Sequence, residues 1–348
     1  MLASKYYVPL LKSRISEVEA YAFLSAECKE RTFPIFLLRP WPNANLLSHS
    51  VDKILEATQG HPFALGLDWE RRGHTSSKPA QEEFDSLFHD GLGYEYYFDF
   101  VSEIDGAVPV LQRSASADNI LQQLGRAEDL DRGLVVHQNR DVILPISDIV
   151  IGLPVIPTDT IFVVDAGWGR DPLQLEGWAQ PIAQRIHDAI PTAEIVIMAS
   201  SFPSSFAHII GDMEVLAHES GVFDSIRQIL QAADLTYGDW ASTRLSQSGG
   251  GGEIPPRIDL PRPASWHIFR ADPSGDETYR SIAQAVQSHS AFENVPECWG
   301  KLQIANTDTS GSGITGVKMN TSARINTHMT LRSGAELTID TDETPFED

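Results

Sequence analysis

Cysteine is nearly absent: Cys28 and Cys298 are the only two in 348 residues, far apart and in no metal-ligand spacing. That excludes a disulfide framework and a thiolate zinc site, and fits free thiols in a reducing compartment. Long apolar runs are absent as well. No stretch of about 18 apolar residues occurs, and the opening MLASKYYVPLL holds no segment of signal-peptide length. The expectation is a cytoplasmic protein with no membrane partner. Positive charge is scarce, with 26 Lys and Arg against 48 Asp and Glu, a net charge of -22. Such a field repels nucleic-acid backbones and argues against non-specific DNA or RNA binding. It still permits a pocket for one small anion, because a few fixed cations nearby outweigh a distant, screened surface. Familiar motifs are missing too: no GxGxxG follows the first strand, and GxxxxGK[ST], GxSxG, HExxH and HxE…PCxxC do not occur.

What is present is a succession of short apolar runs: Tyr6 to Leu11, Phe33 to Leu38, Phe63 to Leu67, Ala107 to Leu111, Leu134 to Val136, Ile161 to Val164, Glu194 to Ala199 and Leu235 to Tyr237. Segments with helical spacing lie between most of them, such as ISEVEAYAFLSAEC, ADNILQQLGRAEDL and EVLAHESGVFDSIRQILQAA. Alternation of strand and helix points to βαβ units, and wholly apolar strands point to burial on both faces. Eight such units predict an α/β fold, a (β/α)8 TIM-type barrel over residues 1–241. A doubly wound open sheet is the alternative, without a phosphate-binding fingerprint to support it. Residues 242–262 read as a Gly/Pro-rich loop, 263–335 as a C-terminal extension packed on the barrel, and 336–348 as an acidic, mobile tail. Within the extension, Asn306 to Thr321 also reads as mobile because it is rich in Gly, Ser and Thr.

The residues at the C-terminal strand ends are Lys12, Arg39, Asp68, Gln112 with Arg113, His137 with Gln138, Asp165, Ser200 with Ser201, and Asp239. Singly, each has an ordinary reading as a helix cap or a hydrogen-bonded strand end. Together, in a parallel barrel, they form the one rim on which active sites of this fold are built. Trp69 and Trp240 directly follow strand-end aspartates, and Trp41 and Trp168 come shortly after their strands. Aromatic faces interleaved with Lys and Arg suit a flat anionic ligand, a nucleotide-like small molecule carrying phosphate. For chemistry, Lys12, Asp68, Asp165, Asp239 and His137 form the candidate catalytic set. Asp68, Asp165 and Asp239 would hold a divalent cation, Mg²⁺ or Mn²⁺ by the hardness of their oxygens, for a metal-assisted phosphoryl-type hydrolase. Without metal, one aspartate would act as base while Lys12 or Arg39 stabilises developing charge.

The stretches YYVPLLKSRISEVEAYAFLS and RTFPIFLLRP, followed by VVDAG, LTYGDWAS, WHIFRA and ARINTHMTL, resemble the Beta protein family of phage and bacterial proteins. The family's closing pair of histidines is represented here by Thr327 and His328. The resemblance implies a TIM-type barrel and a setting in phage defence or toxin–antitoxin modules, with a protein partner encoded in the same module. Lys12, Asp165, Asp239, Arg270, Asn326 and His328 match the family's landmarks. The candidate ligand-binding set is therefore Arg39, Trp69, Arg113, Trp168, Trp240, Arg270, Asn326 and His328. The alternative is a non-catalytic interaction protein whose acidic surface engages a partner effector.

Overall fold

The computed structural model describes residues 2, 5–74, 78–142, 144–243, 254–309 and 312–334; the acidic tail read at 336–348 lies outside them. Its strands are β1 (Tyr7–Lys12), β2 (Ile35–Leu38), β3 (Phe63–Leu67), β4 (Ala107–Pro109), β5 (Leu134–Asn139), β6 (Thr160–Trp168), β7 (Glu194–Ser200), β8 (Gly211–Leu216), β9 (Asp234–Asp239), β10 (Arg257–Pro261) and β11 (Ser265–Arg270). Eight of them form one parallel sheet in the order β4-β3-β2-β1-β9-β7-β6-β5. A parallel bridge between Val110 and Val135 joins its two edges, so the sheet curls into a barrel of the TIM type. All eight expected apolar runs are strands of this sheet.

Side chains alternate along each strand, and here the alternation separates two cores. Val8, Leu10, Ile35, Ala64, Val108, Val135, Ile161, Val163 and Val196 pack together inside the barrel. Tyr7, Leu11, Phe36, Leu38, Leu65, Val136, Phe162, Val164 and Ile197 pack outward beneath the helices. Both faces are buried, which is why the strands are apolar throughout rather than alternating. The interior is tight at Gly238, where an added Cβ would lie 2.8 Å from Val196 Cγ1 and 2.9 Å from the Val8 carbonyl oxygen.

The remaining three strands form a separate antiparallel sheet in the order β10-β11-β8. Two of them differ from expectation. β8 begins the stretch read as one long helix, whose helical part starts only at Glu219. β10 lies in the segment read as loop, where Ile258 and Leu260 are buried and pair across to Phe269 and His267. In both cases the strand is made by a partner distant in sequence, which local composition does not report.

Helices Trp299–Thr309 and Val317–Ser333 occupy most of the Gly/Ser/Thr-rich stretch read as mobile. The second is buried along most of its length although its sequence, VKMNTSARINTHMTLRS, is mostly polar. Hydrogen bonds replace the missing apolar stripe. The Asn326 amide nitrogen donates to the carbonyls of Ala20 (2.9 Å) and Phe23 (3.0 Å), which end the helix Ile15–Ala22 and lack intrahelical partners. Its oxygen accepts from the Gly300 backbone N–H at 2.9 Å. Gly300 is required there, since a Cβ would come within 2.2 Å of the Ala323 carbonyl oxygen. Asn326→Ala leaves three buried backbone groups without their partner, so we expect a loss of about 2–4 kcal/mol in urea unfolding. A loss below about 0.5 kcal/mol would show that the two helices are held by something else.

Candidate functional site

The inward alternation that lines the barrel interior continues past the strand ends and selects the polar groups of the mouth. From Val8 and Leu10 it leads to Lys12, from Ala64 and Gly66 to Asp68, and from Val108 and Val110 to Gln112. In the same way Val135 leads to His137 and Asn139, Ile161 and Val163 to Asp165, and Gly238 to Trp240. A cavity of 390 Å³ opens at this end, lined by Lys12, Asp68, Trp69, Arg113, His137 and Trp240, with Glu17, Glu70, Asn139 and Asp141 among its further polar groups.

Asp165 is the hub of one side. Fully buried, its carboxylate accepts from Asn139 Nδ2 (2.7 Å), Trp240 Nε1 (3.1 Å) and the Gly167 backbone N–H (2.9 Å), and pairs with His137 Nε2 at 3.0 Å. The carboxylate thus fixes the imidazole and the indole at the cavity wall. Across the mouth, Lys12 contacts Glu70 and lies 3.7 Å from buried Asp68. Asp68 also caps the turn Trp69–Arg71 and lies 3.5 Å from Arg39. The Arg113 guanidinium sits 4.9 Å over the Trp69 ring, a cation–π contact. Burial pushes the pKa of Arg113 down from its usual value. Glu17, whose side chain accepts the Lys12 backbone N–H, has its carboxyl raised by burial against the opposing pull of Arg14.

Other expected site residues stand elsewhere. Asp239 has the opposite strand parity and faces the helices. Its carboxylate accepts from Tyr7 and Tyr237 Oη (2.7 Å to Tyr237), from the Ala241 N–H at 2.8 Å, and pairs with His328 Nε2 at 2.7 Å. His328 in turn stacks on Trp266, ring centroids 5.1 Å apart. Asp68, Asp165 and Asp239 therefore do not converge as the ligands expected for Mg²⁺ or Mn²⁺. Among the described residues, the trio of ligand-type side chains within 4.8 Å of one another is Asp212, His267 and His289, on or beside the three-stranded sheet. Trp168, which follows an irregular register after Asp165, does not line the mouth cavity, and its indole donates to the Phe202 carbonyl at 2.8 Å. Arg270 is buried on β11 and donates to the Ile209 carbonyl at 2.6 Å. Asn326 and His328 seat the last helix. Arg39 lies beyond the mouth cavity, in a larger cleft beside it. Asn139, Glu17 and Glu70 were missed; Asn139 follows His137 by two, and that spacing was its available signal.

Burial alone would raise the Asp239 carboxyl, but the His328 imidazole, the Arg332 guanidinium and the Tyr7 hydroxyl hold it well below the usual carboxylate range. A depressed folded-state pKa contributes stability that is present above the unfolded value of about 4 and is lost as pH falls toward the folded value. We expect urea-unfolding stability to decline as pH drops below about 4, and Asp239→Asn to flatten part of that decline. At neutral pH the same variant strands His328 and should cost about 3–5 kcal/mol. An unchanged acid limb in the variant would remove Asp239 as its source.

A profile of the Beta protein family matches residues 7–332. Protein beta of Enterobacteria phage P4 is 26% identical over 317 residues, covering 88% of this chain and 87% of the phage protein. The matched span runs from the first barrel strand to the last turn of the helix that closes against it. With barrel, three-stranded sheet and closing helix all inside that span, the chain belongs to the Beta protein family.

Proposed function

We propose that this protein binds a nucleotide-like, phosphate-bearing small molecule at the C-terminal mouth of its barrel, within a phage-defence or toxin–antitoxin-type module. The observation that carries this reading is the 390 Å³ cavity, in which Trp69 beneath Arg113, Trp240, and Lys12 beside Asp68 share one space. An indole face stacks a planar base, Asn139 and the carboxylates suit hydroxyls and ring amines, and Lys12 and Arg113 supply the charge for phosphate. Phosphoryl-type hydrolysis would draw on His137: with Nε2–H given to Asp165, Nδ1 is left as proton acceptor, and Lys12 stands near developing charge. The module setting is supported by the phage origin of the P4 relative alone.

A second reading, a non-catalytic acidic protein that engages a partner effector, draws on one observation. Asp165 already has its oxygens committed to His137, Asn139, Trp240 and Gly167, which is how a structural carboxylate behaves. Native mass spectrometry of the purified chain separates the two, since a bound small molecule supports the mouth and a bound protein supports the scaffold.

Lys12→Gln gives the sharper test. Arg39 remains beside Asp68, so the substitution should cost no more than about 1–2 kcal/mol and leave the circular dichroism spectrum intact. Binding of the co-purifying ligand, and protection in a phage-challenge assay, should be lost. Full retention of both in a folded Lys12→Gln protein would end the mouth reading.

A further inference from the structure

A group of ligand-type side chains lies apart from the mouth, where the three-stranded sheet meets the helices that cover it. His267 stands on β11, on the same face of the sheet as Phe269. Phe269 packs in one core with Ile282 and Val286 of the helix Tyr279–Gln287 and Ile304 of the helix Trp299–Thr309. Asp212 stands on the edge strand β8, diagonally across from His267, since the register sets Asp212 opposite Phe269 and Glu214 opposite His267. His289 comes from the helical layer, in the short connection between Tyr279–Gln287 and Ser290–Glu293. None of the three lines the mouth cavity.

One ligand-type atom from each of Asp212, His267 and His289 lies within 4.8 Å of those of the other two. A tetrahedral ion with bonds of about 2.0 Å sets its ligand atoms about 3.3 Å apart. His267 Nε2 and Asp212 Oδ2 are already 3.0 Å apart, so one edge of such a tetrahedron is formed. The remaining edges close with shifts of about 1.5 Å at most. Phe269 positions both imidazoles: it stacks on His267 with centroids 4.8 Å apart and meets His289 edge-on at 5.3 Å.

His267 is 8% exposed, and its Nδ1 is buried without a hydrogen-bond partner. Half of its polar capacity is therefore unmet, a cost that buried imidazoles seldom carry. Asp212, as a carboxylate, holds the ring proton at Nε2, and nothing at Nδ1 opposes moving it there. That move leaves His267 neutral, breaks no bond at Nδ1 and turns the Nε2 lone pair toward the carboxylate, which a cation can then bridge. His289 gives up more. Its Nδ1 accepts the Ala291 N–H at 3.1 Å as the cap of a four-residue helix, and coordination through either nitrogen removes that cap.

We propose that Asp212, His267 and His289 hold a divalent transition-metal ion, Zn²⁺ by their donor set. Two imidazoles and one carboxylate suit Zn²⁺, whereas Mg²⁺ and Ca²⁺ take oxygen throughout. Three protein ligands leave a fourth position to water, and Asp212 is exposed, so the ion is reached from solvent. The ion ties β8 and β11 to the helical layer through His289.

The test is titration of the full chain, first treated with a chelator, with Zn²⁺ by calorimetry and with Co²⁺ by visible absorption. We expect one ion per chain, the ligand-field spectrum of a tetrahedral ion bound by nitrogen and oxygen, and a higher thermal midpoint with Zn²⁺. Asp212→Asn and His289→Gln should each weaken Zn²⁺ binding by at least about tenfold, since loss of a group that merely orients a ligand already costs that much. His74→Gln, which removes an exposed histidine on the turn after β3, should change nothing. Exposed Asp212→Asn carries the test if His289→Gln fails to fold. No stoichiometric Zn²⁺ binding, affinity indifferent to Asp212→Asn, displacement of Zn²⁺ by equimolar Mg²⁺, or an intense sulfur-to-cobalt charge-transfer band, which would place the ion on a cysteine, would overturn the proposal.

Discussion

The carboxylate of Asp239 joins parts of the chain that are far apart in sequence: Tyr7 on the first barrel strand, Tyr237 on the last, and His328 on the closing helix. Removing it from water is costly, and the surrounding donors offset that cost only when all three parts are in place. Helix Val317–Ser333 is thereby seated against the barrel with Asn326 as its second anchor. The same helix presents Lys318 and Arg324 to the larger cleft beside the mouth, so the lining of that cleft depends on a bond made on the opposite face of a strand.

Charge is unevenly distributed in this molecule. An overall balance of -22 describes the exterior and the long-range field. At the open end of the barrel two neighbouring cavities differ in their charged linings, with Lys12 and Asp68 paired in one and Arg39 reaching from Asp68 into the other. Asp68 therefore stands on the border between them.

Much of the barrel was legible because burial on both faces leaves a local mark: eight short, largely apolar runs, each followed by a polar residue. Lys12, Asp68, His137 and Trp240 could be named as mouth residues on that basis, since the rim follows from the fold. Asp239 and Trp168 could not be separated from them. Which parity faces inward is set by how strands pair around the ring, and an irregular register after Asp165 breaks the count before Trp168. The closing helix was illegible for another reason. It is buried among polar partners, so its sequence lacks the apolar stripe that announces a packed helix.

The alternation of strand and helix, the barrel, the family likeness and the residue types at the rim can all be read along the chain, because each is written in neighbouring positions or in short ordered motifs. Tertiary structure decided the rest: that Asp239 serves the scaffold while Asp165 orients His137, that β8, β10 and β11 form a second sheet, and that seven scattered cations share one cleft. These depend on contacts between segments as distant as Arg14 and Arg324. Proximity of that kind is created by chain closure and leaves no periodic trace along the chain.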